Sequence, residues 1–125
     1  MGQTTFLRAQ AGIIDSSKLI GCKVENSKAE NLGKIESLML DLQKGRIAYA
    51  VLSFGGFLGL GDKLFPVPME ALQFRASDGK CILSVDKETL KNAPGYDRDQ
   101  LPDANDRTWG NSIFSHYGYP PYWDD

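Results

Sequence analysis

The sequence predicts a mainly β domain, a small barrel or sandwich, that carries a helical and aromatic C-terminal extension. Three observations lead there. Between residues 19 and 85, five or six short runs rich in β-branched and aromatic residues alternate with turn residues at intervals of about 8 to 12 positions. After Val85 the composition shifts to helix signals and a linker rich in Asp and Pro. The aromatics then crowd the end of the chain: of 13 in all, seven lie in the 32 residues from 94 to 125. At 125 residues the chain can bury about two-thirds of its unfolded surface, which makes one core and not two.

Taken in order, Leu19-Ile20-Gly21-Cys22-Lys23-Val24 reads as a first strand and Asn26 to Asn31 as a polar turn. From Leu32 to Asp41 the apolar positions fall at Ile35 and then at Leu38, Met39 and Leu40, so the alternation breaks near Glu36-Ser37. A strand that changes the side it buries bends or bulges there. Asp41 to Arg46 is a hairpin loop in which Gly45 supplies a positive φ, and it makes the second and third strands antiparallel. Ile47 to Phe54 is apolar on both faces, as a central strand covered on both sides would be, and its Ala48 and Ala50 leave room for close packing. Beyond a Gly-rich loop come Lys63 to Pro68, a single helical turn from Met69 to Leu72, and a last hairpin that turns at Ser77-Asp78-Gly79. Asp86 caps a short helix, Lys87 to Asn92, which Pro94-Gly95 ends. A second helix, Asp106 to Tyr117, sets Trp109, Ile113 and Tyr117 on one face at i, i+4, i+8 and stops at Gly118. The last residues, Tyr119-Pro120-Pro121-Tyr122-Trp123, are expected to run on as extended, polyproline-like chain. The organisation is therefore an N-terminal arm (1–16), a β domain (17–92) and an extension (93–125).

With 14 Lys and Arg against 16 Asp and Glu, a net charge of -2, the chain lacks the basic excess that draws proteins to nucleic acid. No basic stretch precedes an apolar run at the N-terminus, and no apolar stretch approaches the ~18 residues of a membrane span. A cytoplasmic protein is expected, soluble or at most peripheral to a membrane complex. Cys22 and Cys81 have no metal-ligand spacing and read as buried, reduced thiols; a disulfide would need their Cα atoms within about 7 Å.

Several stretches match a known family. They are Leu19-Ile20-Gly21, Glu30-Asn31-Leu32-Gly33-Lys34-Ile35-Glu36, Asp41 followed by Gly45-Arg46-Ile47-Ala48-Tyr49-Ala50-Val51-Leu52, and Phe65-Pro66-Val67-Pro68-Met69-Glu70-Ala71-Leu72. Over residues 17 to 90 the chain resembles the PRC-barrel family, named for the cytoplasmic domain of the photosynthetic reaction centre H subunit. The loop from Ser53 to Lys63 and the aromatic tail look like a bacterial stand-alone subgroup linked with stress responses. The resemblance implies a small, highly coiled antiparallel β-barrel of five to six strands, used by relatives as an adaptor and without a shared catalytic motif. Ala29 stands where the family often has Gly, and Met69 where it often has Trp.

No chemistry stands out. Gly56 and Gly61 have the four-residue gap of a phosphate loop, but Asp62 follows where Lys is needed. His116 is the only histidine and has no partner at ligand spacing; the Asp-rich linker lacks the Gly and terminal Glu of a calcium loop; no serine sits in a nucleophile motif. No catalytic residue, metal or cofactor is expected. Phe57, Leu58 and Leu60 in the Gly-rich loop either plug the barrel end or meet a protein partner. Trp109, Ile113, Phe114, Tyr117, Tyr122 and Trp123 either seal the chain's own sheet or clasp a second copy in a homodimer. Gly33, Gly45, Gly55, Gly56 and Gly61 are the expected structural turns. The leading expectation is a non-enzymatic adaptor that self-associates and docks on a protein or membrane-associated complex. The alternative is an accessory domain that holds a small hydrophobic or aromatic ligand between loop and tail, or supports photosynthetic-type electron transfer.

Overall fold

In the computed structural model, which describes residues 12–55 and 62–124, seven strands form one curled sheet. They are β1 (Lys23–Glu25), β2 (Asn31–Asp41), β3 (Arg46–Gly55), β4 (Asp62–Val67), β5 (Leu72–Arg75), β6 (Lys80–Leu83) and β7 (Tyr96–Asp97), with helices α1 (Lys87–Lys91) and α2 (Arg107–Tyr117). The sheet order is β5-β6-β1-β2-β3-β4-β7. All neighbours are antiparallel except β1 and β6, which pair in parallel.

The mainly β class is as the sequence predicts, and the details differ in three ways. Among the described residues the hydrogen-bonded ladder runs from the β5 edge to the β7 edge and does not close. The sheet still wraps its core, because Leu72 at one edge and Val67 near the other belong to the same apolar cluster. The parallel β1–β6 pair departs from an all-antiparallel barrel, since the chain returns beside β1 only after four more strands have been laid down. The seventh strand, two residues long, comes from the linker, where the sequence shows no strand signal.

The curl has a local cause in β2. Its register against β3 slips between Ile35 and Ser37, where the alternation breaks, and again between Met39 and Leu40. Gly33, at φ +93°, lies so close to β3 that a Cβ would fall 2.0 Å from the Ser53 carbonyl oxygen. The hairpin at Gly45 turns as expected, with φ +65°. Leu19 to Gly21 is not strand. It follows a 3-10 turn (Ser16–Lys18) capped by Asp15, and β1 starts only at Lys23.

Two apolar clusters fill the fold. The first draws Val24, Leu32, Ile35, Leu52, Phe65, Leu72, Cys81 and Leu83 from all of β1 to β6, with Leu90 of α1 closing it. The second lies on the other side of the central strand: Ala48, Tyr49 and Val51 of β3 with Leu64 of β4, covered by Ile113 and Phe114 of α2. β3 is therefore buried on both faces, with Ala50, Leu52 and Phe54 to one cluster and Tyr49 and Val51 to the other.

Candidate interaction surface

The extension is built onto the sheet by local signals. Asp86 caps α1 by accepting from the Thr89 N–H at 2.8 Å, and Asp106 caps α2 by accepting from the Thr108 N–H at 2.8 Å. Between them the linker is held by Arg98, whose two guanidinium nitrogens donate to the two Glu36 oxygens at 2.8 and 3.2 Å. That pair holds the Glu36 carboxyl below the ordinary carboxylate range. His116 donates from Nε2 to the Thr89 carbonyl at 3.0 Å, tying α2 to α1.

Ile113 and Phe114 are fully buried in the second cluster, where they bind α2 to this chain's own sheet. Trp109 is half-buried against that cluster, its ring 6.0 Å from Tyr96 and nearly perpendicular to it. Tyr117 reaches the other cluster; its buried hydroxyl has no hydrogen-bond partner among the described residues, and burial pushes its pKa up. The stripe read from the sequence is therefore split, with its centre in the core.

The last residues do not run on as extended chain. Gly118 takes the left-handed conformation, φ +80°, and the Tyr119 N–H returns to the Phe114 carbonyl at 3.0 Å, which reverses the path. A 3-10 turn (Tyr122–Asp124) then lays two aromatic rings back on α2. Trp123 stacks on the face of Gly110, where a Cβ would stand 3.0 Å from its ring, and its edge meets Phe114 at 6.3 Å. Arg107 lies over the Trp123 ring at 5.1 Å, and Arg46 lies over the Tyr122 ring at 5.5 Å. The Tyr122 hydroxyl donates to Asp41 Oδ2 at 2.5 Å. Burial first, and that bond second, push Tyr122 up to about 12, while the same bond is the main reason the Asp41 carboxyl is held low.

The tail thus ends beside the β2–β3 hairpin, and a cleft of about 470 Å3 there is lined by Tyr122 and Trp123 of the tail and by Leu40 to Gln43 of the hairpin. Leu40 is 63% exposed and Leu42 is 88% exposed. Neither leucine stands out in the sequence as a surface residue. Their one signal is an apolar pair at the start of a turn that needs no apolar residue. Phe57, Leu58, Leu60, Gly56 and Gly61 lie outside the described residues, while Gly55 ends β3 at φ +120°. Among the described residues, no cluster of three or more His, Cys, Asp and Glu side chains could hold a metal ion, and no helix is long and apolar enough to cross a membrane.

A curled sheet entered through a 3-10 turn, bulged in its second strand and closed by a short capped helix describes residues up to about 90, and the PRC-barrel domain model matches residues 11–90. The chain belongs to the PRC-barrel domain family. No curated protein matches it. The PRC-barrel match ends within α1, so α2, the folded-back tail and the Tyr122 side of the cleft are additions to the family domain, whereas Leu40 and Leu42 are within it.

Proposed function

We propose that this chain is a non-enzymatic interaction module that self-associates and docks on another protein or a membrane-associated complex through the hairpin tip and the aromatic tail. The observation that carries the reading is the pair Leu40 and Leu42, exposed at a cleft that Tyr122 and Trp123 also line. Burying a leucine side chain stabilises by roughly 1.5–3 kcal/mol, so covering two is a substantial drive to association before the losses of ordering. Tyr and Trp beside them supply the contact type enriched at energetic centres of interfaces. PRC-barrel membership supports a module without chemistry of its own, and a role in stress responses belongs to the same proposal. The test is the double substitution Leu40→Asp with Leu42→Asp, which lies outside both buried clusters. Sedimentation should show the parent chain associating with rising concentration and the variant remaining monomeric; equal behaviour of the two sinks the reading.

A second reading rests on a different feature. An open groove of about 340 Å3 lies beside β5, lined by Ile14, Leu19, Ile35, Met69, Leu72 and Phe74 among others. Its size and apolar walls suit a small hydrophobic or aromatic ligand. Its position differs from the loop-and-tail site expected from the sequence. Native mass spectrometry of the protein from its host, compared with Met69→Trp, tests this: an unmodified mass in both leaves the groove without a ligand.

A further inference from the structure

Cys22 and Cys81 are both free and both buried, 7% and 1% exposed, and both belong to the first apolar cluster. The parallel pairing of β1 with β6 sets Val24 directly opposite Cys81, and Cys22 stands two residues before Val24. Alternation along the strand directs Cys22 to the same side as Val24. One contact marks the approach: the Cys22 thiol donates to the Gly79 carbonyl, two residues before Cys81, at 2.9 Å. Burial, and then the neighbouring Cys22 thiol, push Cys81 up to about 12, so the resting Cys81 thiol is protonated. Cys22 itself lies just ahead of β1, on the end of the turn that begins at Leu19, and its carbonyl accepts from the Ile35 N–H of β2 at 2.9 Å. Rotation of its side chain alone, about χ1, leaves that bond in place. The route in is the open groove of about 340 Å3, in whose wall Cys81 stands beside Met69, Leu72 and Phe74. The lining is mostly apolar, with Arg46 and Glu70 also in it, and the groove's size admits a small uncharged oxidant and not a second protein.

We propose that Cys22 and Cys81 form a paired-thiol oxidation site, which a small hydroperoxide entering through this groove converts to an intrachain disulfide. One thiol, as its thiolate, attacks the terminal peroxide oxygen; the O–O bond breaks, an alcohol or water leaves, and the sulfur becomes a sulfenic acid. The second thiol attacks that sulfur, the S–S bond forms, and the S–O bond breaks with loss of water. Two thiols together lose two electrons and two protons, and the peroxide takes up both. The product clamps the turn before β1 to β6 and closes a long loop in the unfolded chain, which restricts that chain more than the folded one.

The experiment treats the full, reduced chain with hydrogen peroxide or tert-butyl hydroperoxide at mildly alkaline pH, then denatures and alkylates it. The expected result is a monomer lighter by about 2 Da, with neither cysteine alkylated, a linked peptide pair spanning Cys22 and Cys81, recovery by dithiothreitol and a raised melting temperature. Three results overturn the proposal: both thiols still alkylated, a disulfide formed only between chains, or one cysteine carried to sulfinic acid without a link. Cys22→Ala and Cys81→Ala should each abolish the mass loss, and the variant that keeps the attacking thiol should leave a sulfenic acid that dimedone traps. Should either variant fail to fold, the peptide map of the parent chain decides alone.

Discussion

Asn26 is a buried polar side chain whose every hydrogen-bonding group is used. Its Oδ1 accepts from the Lys28 and Glu30 N–H groups at 3.0 Å each, and its Nδ2 donates to Glu30 Oε1 at 2.7 Å and to the Val85 carbonyl at 3.0 Å. It therefore shapes the turn between β1 and β2 and fastens it to the segment that leads into α1. Asn26→Ala leaves buried partners unsatisfied and should cost about 2–4 kcal/mol in urea unfolding, with Asn26→Asp recovering only the acceptor half. Three residues on, Ala29 is held at φ +62° with its side chain exposed. The left-handed conformation costs an alanine about 1–2 kcal/mol, of which glycine's greater freedom in the unfolded chain returns part. Ala29→Gly should therefore raise stability by about 0.5–1 kcal/mol, and an unchanged or lower urea midpoint would show that the turn stores no strain there. The polar turn is legible in the sequence, and so is the unusual residue at position 29, through the family resemblance. The bond from Asn26 to Val85, 59 positions away, is not, because nothing local distinguishes an Asn that caps a turn from one that also crosses the fold.

At the scale of elements, legibility follows the range of the forces. The bulge in β2, the hairpin at Gly45, the Asp86 and Asp106 caps and the apolar stripe of α2 each leave a mark within a few residues, and each is present. The parallel β1–β6 pair and the two-residue β7 arise from distant segments brought together by the shared core, and they leave no local mark. The tail is a mixed case: Pro120-Pro121 favours extended chain, but ring packing on Gly110 and Phe114 prevails and folds it back. Its fastening makes a pH prediction. Asp41 is held below its usual value, so its contribution is complete above the ordinary carboxylate range and is lost as the pH falls through that lowered value. Tyr122 is raised to about 12, so its contribution is complete below about 10 and is lost as the pH climbs from there toward 12. Acrylamide quenching of Trp123, in a Trp109→Phe background, should stay flat between these limits and rise at both ends. Tyr122→Phe should raise quenching throughout the plateau, because the hydroxyl that joins Asp41 is gone; equal quenching with and without it would mean the tail is held by ring packing alone.

For the whole molecule, the question is whether the extension is an appendage on a self-sufficient family domain or part of the fold. The family match stops at residue 90, yet Ala48, Tyr49, Val51 and Leu64, all within it, form a face that Ile113 and Phe114 cover. The count of aromatics near the C-terminus announces apolar surface in need of cover, and part of that cover is the chain's own β3. Fully burying Ile113 and Phe114 contributes roughly 3–6 kcal/mol together, a large part of the 5–15 kcal/mol that holds an ordinary domain folded. A chain ending at residue 92 would lose that contribution and present an apolar face on a central strand. It should melt well below the full chain and self-associate through that face, and the association should persist with Leu40→Asp and Leu42→Asp added, since those residues lie on the hairpin and not on the exposed face. A peptide of residues 98–125 supplied in trans should restore a monomer and raise the melting temperature in proportion to its concentration. A truncated chain that stays monomeric and melts with the parent would instead assign the extension to a partner, and would make the covered face of β3 the docking surface of the molecule.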